Sequence, residues 1–325
     1  MQFSDVVIKS IVKLKRNIAG IAFFGDDEAL AARVEELVFN AVPCAKNRPK
    51  RLSDMTEAER VKLLEDNFCM EYAGKAYSNA SVIEVSDAAV FLNTDNRILF
   101  ASSYSGECLN DLFLNLKDIE EKTGSLVPYA FSVKNGFLTS SIADAGSGLE
   151  ARLLLHLPAM TENGAIAETA KQLARHGLEL ESFHLNGTKE AQGLFMLSST
   201  NGIKWNETET ISELRAACED IVTREREERL GNLSDKITIE DRAQRARAVL
   251  KNALLVDYDE FVSLCLDLRY AACCGIVAAD IELLDRFMLR LSPANLSLGS
   301  GNMLGEREDM LMRVEAVKLV LNNII

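Results

Sequence analysis

The sequence predicts an α+β domain followed by an all-helical one, and three observations carry this. Strand-turn-strand units are mixed with amphipathic helices over the first 230 residues, which favours α+β over a doubly wound parallel sheet. Strand signals then stop, and the rest repeats its apolar positions at a period of 3.6. A chain of 325 residues is also long enough for two units of ordinary size. The first domain is placed over residues 1–230 and the helical one over 235–325, joined by Gly231 to Asp235.

A β-like stretch opens the chain, with Val6, Ile8 and Val12 apolar. A helix is expected over Glu28 to Asn40, because Leu30, Val34, Leu37 and Val38 share a face. Lys46 to Arg51 reads as a basic connector, and the next helix starts near Ser53, with Glu57 in its first turn. Residues 81–92 and 97–104 read as two strands joined by a turn at Asn93 to Asn96. Residues 106–124 form an amphipathic helix, with Leu109, Leu112, Leu116 and Ile119 inward and Gly124 just past its end. Gly136 to Ile142 resembles a strand, after which Gly146-Ser147-Gly148 opens a helix running through Met160. A helix over Ala165 to His176 and two strands, 178–185 and 193–199, come next. Thr210 with Glu213 makes a capping box for a helix reaching Leu230, whose Arg224 to Arg229 run reads as a solvated salt-bridge face. In the second domain, helices are expected over Ile239 to Leu254, Tyr258 to Cys274 and Met310 to Leu321.

With 36 Lys+Arg against 49 Asp+Glu, the formal charge of −13 argues against a general nucleic-acid binder. No apolar run approaches the roughly 20 residues of a membrane span. Asp5, Lys9, Lys13, Lys15 and Arg16 interrupt any signal-peptide core. The 7 cysteines show no CxxC spacing, and Cys273-Cys274 reads as packing, so a cytoplasmic protein with reduced thiols is expected. His156, His176 and His184 lack metal-ligand spacing, and His156 reads as a satisfied core residue. The common nucleotide loops are absent. Glycines before a helix at Gly146 to Gly148 would suit an anion, but Glu150 in the first turn would repel a phosphate.

The segment GFLTSSIADAGSGLEARLLLHLPAM resembles G-Y-L-T-S-C-P-T-N-x-G-T-G-L-R-A-S-x-x-x-H-L-P-A of bacterial protein-arginine kinases, a branch of the ATP:guanido phosphotransferases. SDVVIKSIVKLKRNI is similar to the family's S-D-x-V-x-S-S-R-I-R-L-A-R-N. ITIEDRAQRARAVL and LDLRYAACCGIV are similar to the C-terminal helical domain of the bacterial branch. The resemblance implies a guanido-kinase-type antiparallel sheet flanked by helices, then a helical dimerisation domain. It implies ATP and Mg as cofactors, and a homodimer working with a zinc-binding activator protein and the Clp protease machinery.

Residue by residue, the family's five phosphate-binding arginines fall on Ile11, Lys13, Leu99, Glu150 and Glu181. One of the five keeps a positive charge and two are negative. Arg16, Arg97 or Arg152 could compensate, although on the expected helix Arg152 faces away from Glu150. The family's base towards the guanidinium falls on Asp95, its partner glutamate on Asn186, and the site cysteine on Ser141. The phosphoarginine-binding R-D-x-x-R-A falls near Glu308 to Arg313, keeping Asp309. These departures lead to a catalytically weakened or inactive pseudokinase acting by partner binding in protein quality control. The alternatives are an active protein-arginine kinase with a rewired site, or a structural homodimer pairing with an active paralogue. If only charges are missing, restoring all five arginines together is expected to recover ATP binding.

Overall fold

An eight-stranded antiparallel sheet organises the chain. The computed structural model describes residues 3–23, 25, 27–72, 78–142, 145–186, 188, 193–199 and 206–324, the side chains of the last four excepted. The sheet-bearing part runs β1 (Val7–Arg16), α1 (Glu28–Ala41), β2 (Lys50–Arg51), α2 (Glu57–Asp66), β3 (Ser81–Val85), β4 (Ala88–Leu92), β5 (Ile98–Ser105) and α3 (Leu109–Gly124). It continues with β6 (Phe131–Ser132), β7 (Gly136–Phe137), β8 (Leu149–His156), α4 (Pro158–Glu162), α5 (Ile166–Ala174), β9 (Leu178–Ser182), β10 (Leu194–Ser199) and α6 (Glu207–Asn232). Helices α7 (Lys236–Asn252), α8 (Tyr258–Cys273), α9 (Ile281–Arg290), α10 (Pro293–Ser300) and α11 (Glu306–Ile324) follow. The α+β class and the helical C-terminal region agree with the sequence.

Strand order in the large sheet is β2-β3-β4-β5-β1-β8-β10-β9, so the first strand of the chain sits at its centre. One face is covered by helices: Val34 and Val38 of α1, Leu109, Leu112 and Leu116 of α3, Leu173 of α5, and Ile211 and Leu214 of α6 pack on it. The other face is covered by two different pieces of chain. At one end Phe91, Leu99 and Ala101 meet Leu52, Leu64, Cys69 and Tyr72. At the other, Ile11, Leu154 and Met196 meet Phe261, Leu268, Tyr270 and Phe287 of the C-terminal helices. The helical region therefore shares its apolar core with the sheet.

The junction is also polar. The buried Arg269 of α8 pairs with Asp285 of α9 at 2.7 Å and donates to the carbonyls of Ser4 (2.7 Å) and Asp5 (3.0 Å). Its Nη1 also lies 3.3 Å from His156 Nδ1. An arginine cannot accept, so Nδ1 carries a lone pair and the ring is neutral. Burial, then the Arg269 charge, holds His156 well below its usual pKa, in keeping with a core histidine.

Several expected elements differ. Leu149 to His156 is a strand, not a helix. Its leucines favour a helix locally, but pairing with β1 on one side and β10 on the other decides the outcome. No helix dipole therefore faces an anion there. Position 148 requires glycine twice over: its φ is +63°, and a Cβ would stand 2.5 Å from the Lys15 carbonyl oxygen and 2.7 Å from Arg16 Nη1. Residues 81–92 split into β3 and β4 at Ser86, whose φ is +48°. Only Gly136–Phe137 of the segment 136–142 is strand. Thr56, through a capping box with Glu59, starts α2. Asn206 caps α6 four residues before Thr210. Gly124 lies inside the last turn of α3. The expected linker is helical: α6 runs to Asn232 and a short 3-10 turn leads into α7.

The run Arg224 to Arg229 is not wholly solvated either. Glu225 and Arg229 are buried as a pair at 2.9 Å, and Arg229 reaches Asp5 at 2.9 Å. Glu225 in turn accepts from the backbone N–H groups of Ala159 and Met160, capping α4. The long α6 thus ties the N-terminus to the end of β8. Among the described residues, no helix is long and apolar enough to cross a membrane.

Candidate functional site

The sheet register gathers all five family phosphate positions onto one face. Lys13 stands between Ala101 on β5 and Glu150 on β8, Ile11 between Ser103 and Arg152, and Lys15 beside Leu99. Alternate residues of a strand share a face. Ile11, Lys13, Leu99 and Glu150 therefore share that face on three adjacent strands. Glu181, next to last in β9 two strands further along, stands opposite Met196 on the same face and is exposed.

What fills this face is the chain itself. Ile11 and Leu99 have no solvent exposure and belong to the two apolar clusters beneath the C-terminal helices and residues 52–72. Lys13 is equally buried, with Nζ 2.8 Å from Glu71 and 3.1 Å from Glu150. Glu150 also meets Lys15 Nζ at 2.9 Å and Arg152 Nη2 at 3.0 Å. Three cations thus enclose two carboxylates.

The electrostatics follow from that enclosure. Burial opposes the charge on Lys13, but the carboxylates of Glu150 and Glu71 more than offset it and hold its pKa above the usual value. Burial likewise opposes ionisation of Glu150, and Lys13, Lys15 and Arg152 overcome it and hold that carboxyl far below the usual range. Cys69 beside them is pushed up to about 12, chiefly by burial, so it stays a thiol.

Of the cations proposed as compensation, Arg152 alone joins this cluster. It can because β8 is a strand, where positions two apart share a face. Arg16 is committed elsewhere: it pairs with Glu120 (2.8 Å) and Glu207 (3.0 Å) and stacks over Phe137 at 3.6 Å. Arg97 is buried, donating to the Ala22 carbonyl at 2.7 Å and to Asn93 Oδ1 at 2.9 Å. That second bond pins the β4–β5 turn carrying Asp95.

Two of the three guanidinium-side positions come together. Asp95 is half-buried in that turn, and the Ser140 hydroxyl donates to its carbonyl, placing exposed Ser141 next to it. Ser140 N–H also donates to Asn96 Oδ1 at 2.9 Å. Asn186 instead donates to Glu65 Oε1 of α2 at 2.6 Å, across a cavity wall. Asp309, which the resemblance places near the family's phosphoarginine motif, pairs with the buried Arg313 at 2.5 Å, which also donates to the Leu291 and Val256 carbonyls. Among the described residues no group of three or more His, Cys, Asp or Glu is placed to hold a metal.

The sequence reading missed Lys15, Glu65 and Glu71. Lys15 follows Lys13 by two, a signal that a strand period would have exposed. Glu71 and Glu65 come from a distant segment and leave no local trace.

A family model for the ATP:guanido phosphotransferase C-terminal catalytic domain matches residues 33–228. Protein-arginine kinase from Caldanaerobacter subterraneus subsp. tengcongensis is 25% identical over 328 residues, covering 98% of this chain and 97% of its own. The enzyme of the same name from Moorella thermoacetica is 26% identical, covering 98% and 94%. Among solved structures, the duplicated taurocyamine kinase of Schistosoma mansoni superposes with a TM-score of 0.60 at 19% identity, over 69% of this chain and 33% of that one. Lombricine kinase superposes with a TM-score of 0.57 at 15% identity, over 69% and 67%. The two kinase structures share the fold, and the full-length relatives extend the likeness through the C-terminal helices. The chain belongs to the ATP:guanido phosphotransferase family, as a divergent member of its bacterial protein-arginine kinase branch.

Proposed function

We propose that this chain is a pseudokinase of its family, without phosphoryl transfer from ATP, acting by binding other proteins. One observation carries the reading: the face that would hold the triphosphate is packed with the chain's own groups. Phosphoryl transfer in such enzymes is mostly positioning and charge neutralisation. Family membership implies ATP with Mg, but the residues present do not fit that group. Ile11 and Leu99 lie in apolar clusters, and Glu71 and Glu150 already occupy Lys13. Exposed Glu181 adds a negative charge where a phosphate ligand would need a positive one. Mixing the chain with Mg-ATP and a peptidyl-arginine substrate is expected to yield no acid-labile phosphoarginine by mass spectrometry. Turnover comparable to an active relative would overturn the proposal.

The family's assembly supplies the binding role. The chain works in the cytoplasm as a homodimer through its C-terminal helices, alongside a zinc-binding activator protein and the Clp protease machinery. Leu311 and Leu319 of α11 are exposed apolar residues suited to such a contact. Light scattering is expected to give twice the 35.9 kDa chain mass. A monomer at micromolar concentration would count against the dimer.

A rewired enzyme is the second reading. It is favoured by Asp95, which keeps a carboxylate at the base position, and by Lys13, Lys15 and Arg152 outnumbering Glu71 and Glu150.

A further inference from the structure

A cavity of about 130 Å³ lies where the sheet, the end of α2 and the C-terminal helices meet. At roughly 10–15 Å³ of such volume per water, it holds on the order of ten heavy atoms. Pockets of mixed character, mostly apolar with a few convergent polar groups, are the usual form of a small-molecule site.

We infer that this cavity binds a free amino acid with a small apolar side chain, its carboxylate meeting Lys9 and its ammonium meeting Glu65. The inference does not depend on whether the chain transfers phosphate.

Lys9 supplies the anion contact. Its ammonium donates to the Asp66 carbonyl at a long 3.5 Å and sits over the Phe68 ring at 4.9 Å. An ammonium has three N–H donors, so this coordination leaves capacity for a carboxylate. Burial lowers its pKa, which a bound anion would reverse. Arg152, on the same wall, adds a second positive charge.

Glu65 supplies the cation contact. Its Oε1 accepts from Asn186 at 2.6 Å and its Oε2 from Ser292 at 2.8 Å. Each carboxylate oxygen can accept a further bond. Burial raises the Glu65 pKa, and a bound ammonium would favour the ionised form. The two hydrogen bonds also join α2, the segment after β9, and the C-terminal helices, so a ligand here would touch all three.

The body of the ligand would lie on aromatic and aliphatic surface. Phe68 and Phe183 stack with ring centroids 5.9 Å apart, and Tyr258 and Leu289 complete the wall. A side chain much longer than that of methionine exceeds this space. Both charge signs over a short apolar wall distinguish a zwitterion from a plain anion or a plain amine.

Calorimetry on the full chain tests this with L-valine, L-leucine and L-methionine, beside 4-methylpentanoate and isopentylamine, which each keep one charge. Saturable binding of at least one amino acid is expected at about 10 mM, where even a millimolar ligand is largely bound. Each one-charge analogue should bind about tenfold or more weakly, as should the best amino acid to Lys9→Met or Glu65→Gln. Absence of saturable heat with all three amino acids overturns the inference. So does an analogue that binds as tightly as its parent. Should either variant fail to fold, the analogue comparison on the unmodified chain still decides.

Discussion

Glu150→Gln is expected to destabilise the folded chain by about 3 kcal/mol, the scale of removing one partner from a buried ion pair. Glutamine keeps the shape but not the charge. Lys13 would then rely on Glu71, which is 41% exposed, while Lys15 and Arg152 lose their shared carboxylate. Chemical denaturation reads the change directly. Adding Lys13→Met to the variant should cost less than the sum of the single changes, because it removes the stranded charge. A loss below about 1 kcal/mol, the scale of a solvent-exposed pair, would contradict the buried cluster.

The same cluster sets a pH dependence. The Glu150 carboxyl is depressed below its ordinary 4.5, so its stabilisation is present above that pH and is lost as pH falls towards the folded value. Lys13 is raised above its ordinary 10.5, so its contribution is present below that pH and lost only as pH rises through the folded value. The cluster therefore contributes a flat region from about 4.5 to about 10.5, with losses on both sides. Glu150→Gln should remove much of the acid limb.

Leu99→Arg and Ile11→Arg are expected to be more disruptive still, each costing about 4 kcal/mol or more. Both side chains are fully buried, Leu99 among Phe91, Leu64 and Tyr72, and Ile11 against Leu154, Met196 and the C-terminal helices. An arginine at either place would bury a charge without a carboxylate to meet it. This reverses the expectation drawn from sequence that restoring the five arginines together recovers ATP binding. At these two positions the face is not merely short of charge; it is filled by apolar packing. Glu181→Arg, by contrast, is exposed and should leave stability within about 0.5 kcal/mol. Circular dichroism with urea titration compares the three, and a well-folded Leu99→Arg chain would show that the space at this face is open.

Periodicity made most elements legible. The apolar spacing of α1, α3 and α8 and the alternation in β9 are local signals, and they agree with the fold. Strand β8 was not legible, because three consecutive leucines and His156 suit a helix as well as a doubly buried strand. Its state depends on β1 and β10, which lie far away in sequence. That one error also misdirected Arg152, which a helix turns away from Glu150 and a strand brings to 3.0 Å. The family motifs assign the phosphate positions residue by residue, and the sheet register brings those residues to one face. Their filling was not legible, since Glu71 reaches Lys13 across 58 residues and the apolar cover of Ile11 comes from the C-terminal helices.

Calorimetric titration of Mg-ATP into the intact chain tests the filled cradle most directly. No saturable binding is expected at millimolar nucleotide, because of the positions that the family resemblance assigns to phosphate, Ile11 and Leu99 lie in apolar clusters and Lys13 is held by Glu71 and Glu150. A dissociation constant in the micromolar range, about −8 kcal/mol of binding free energy, would contradict it.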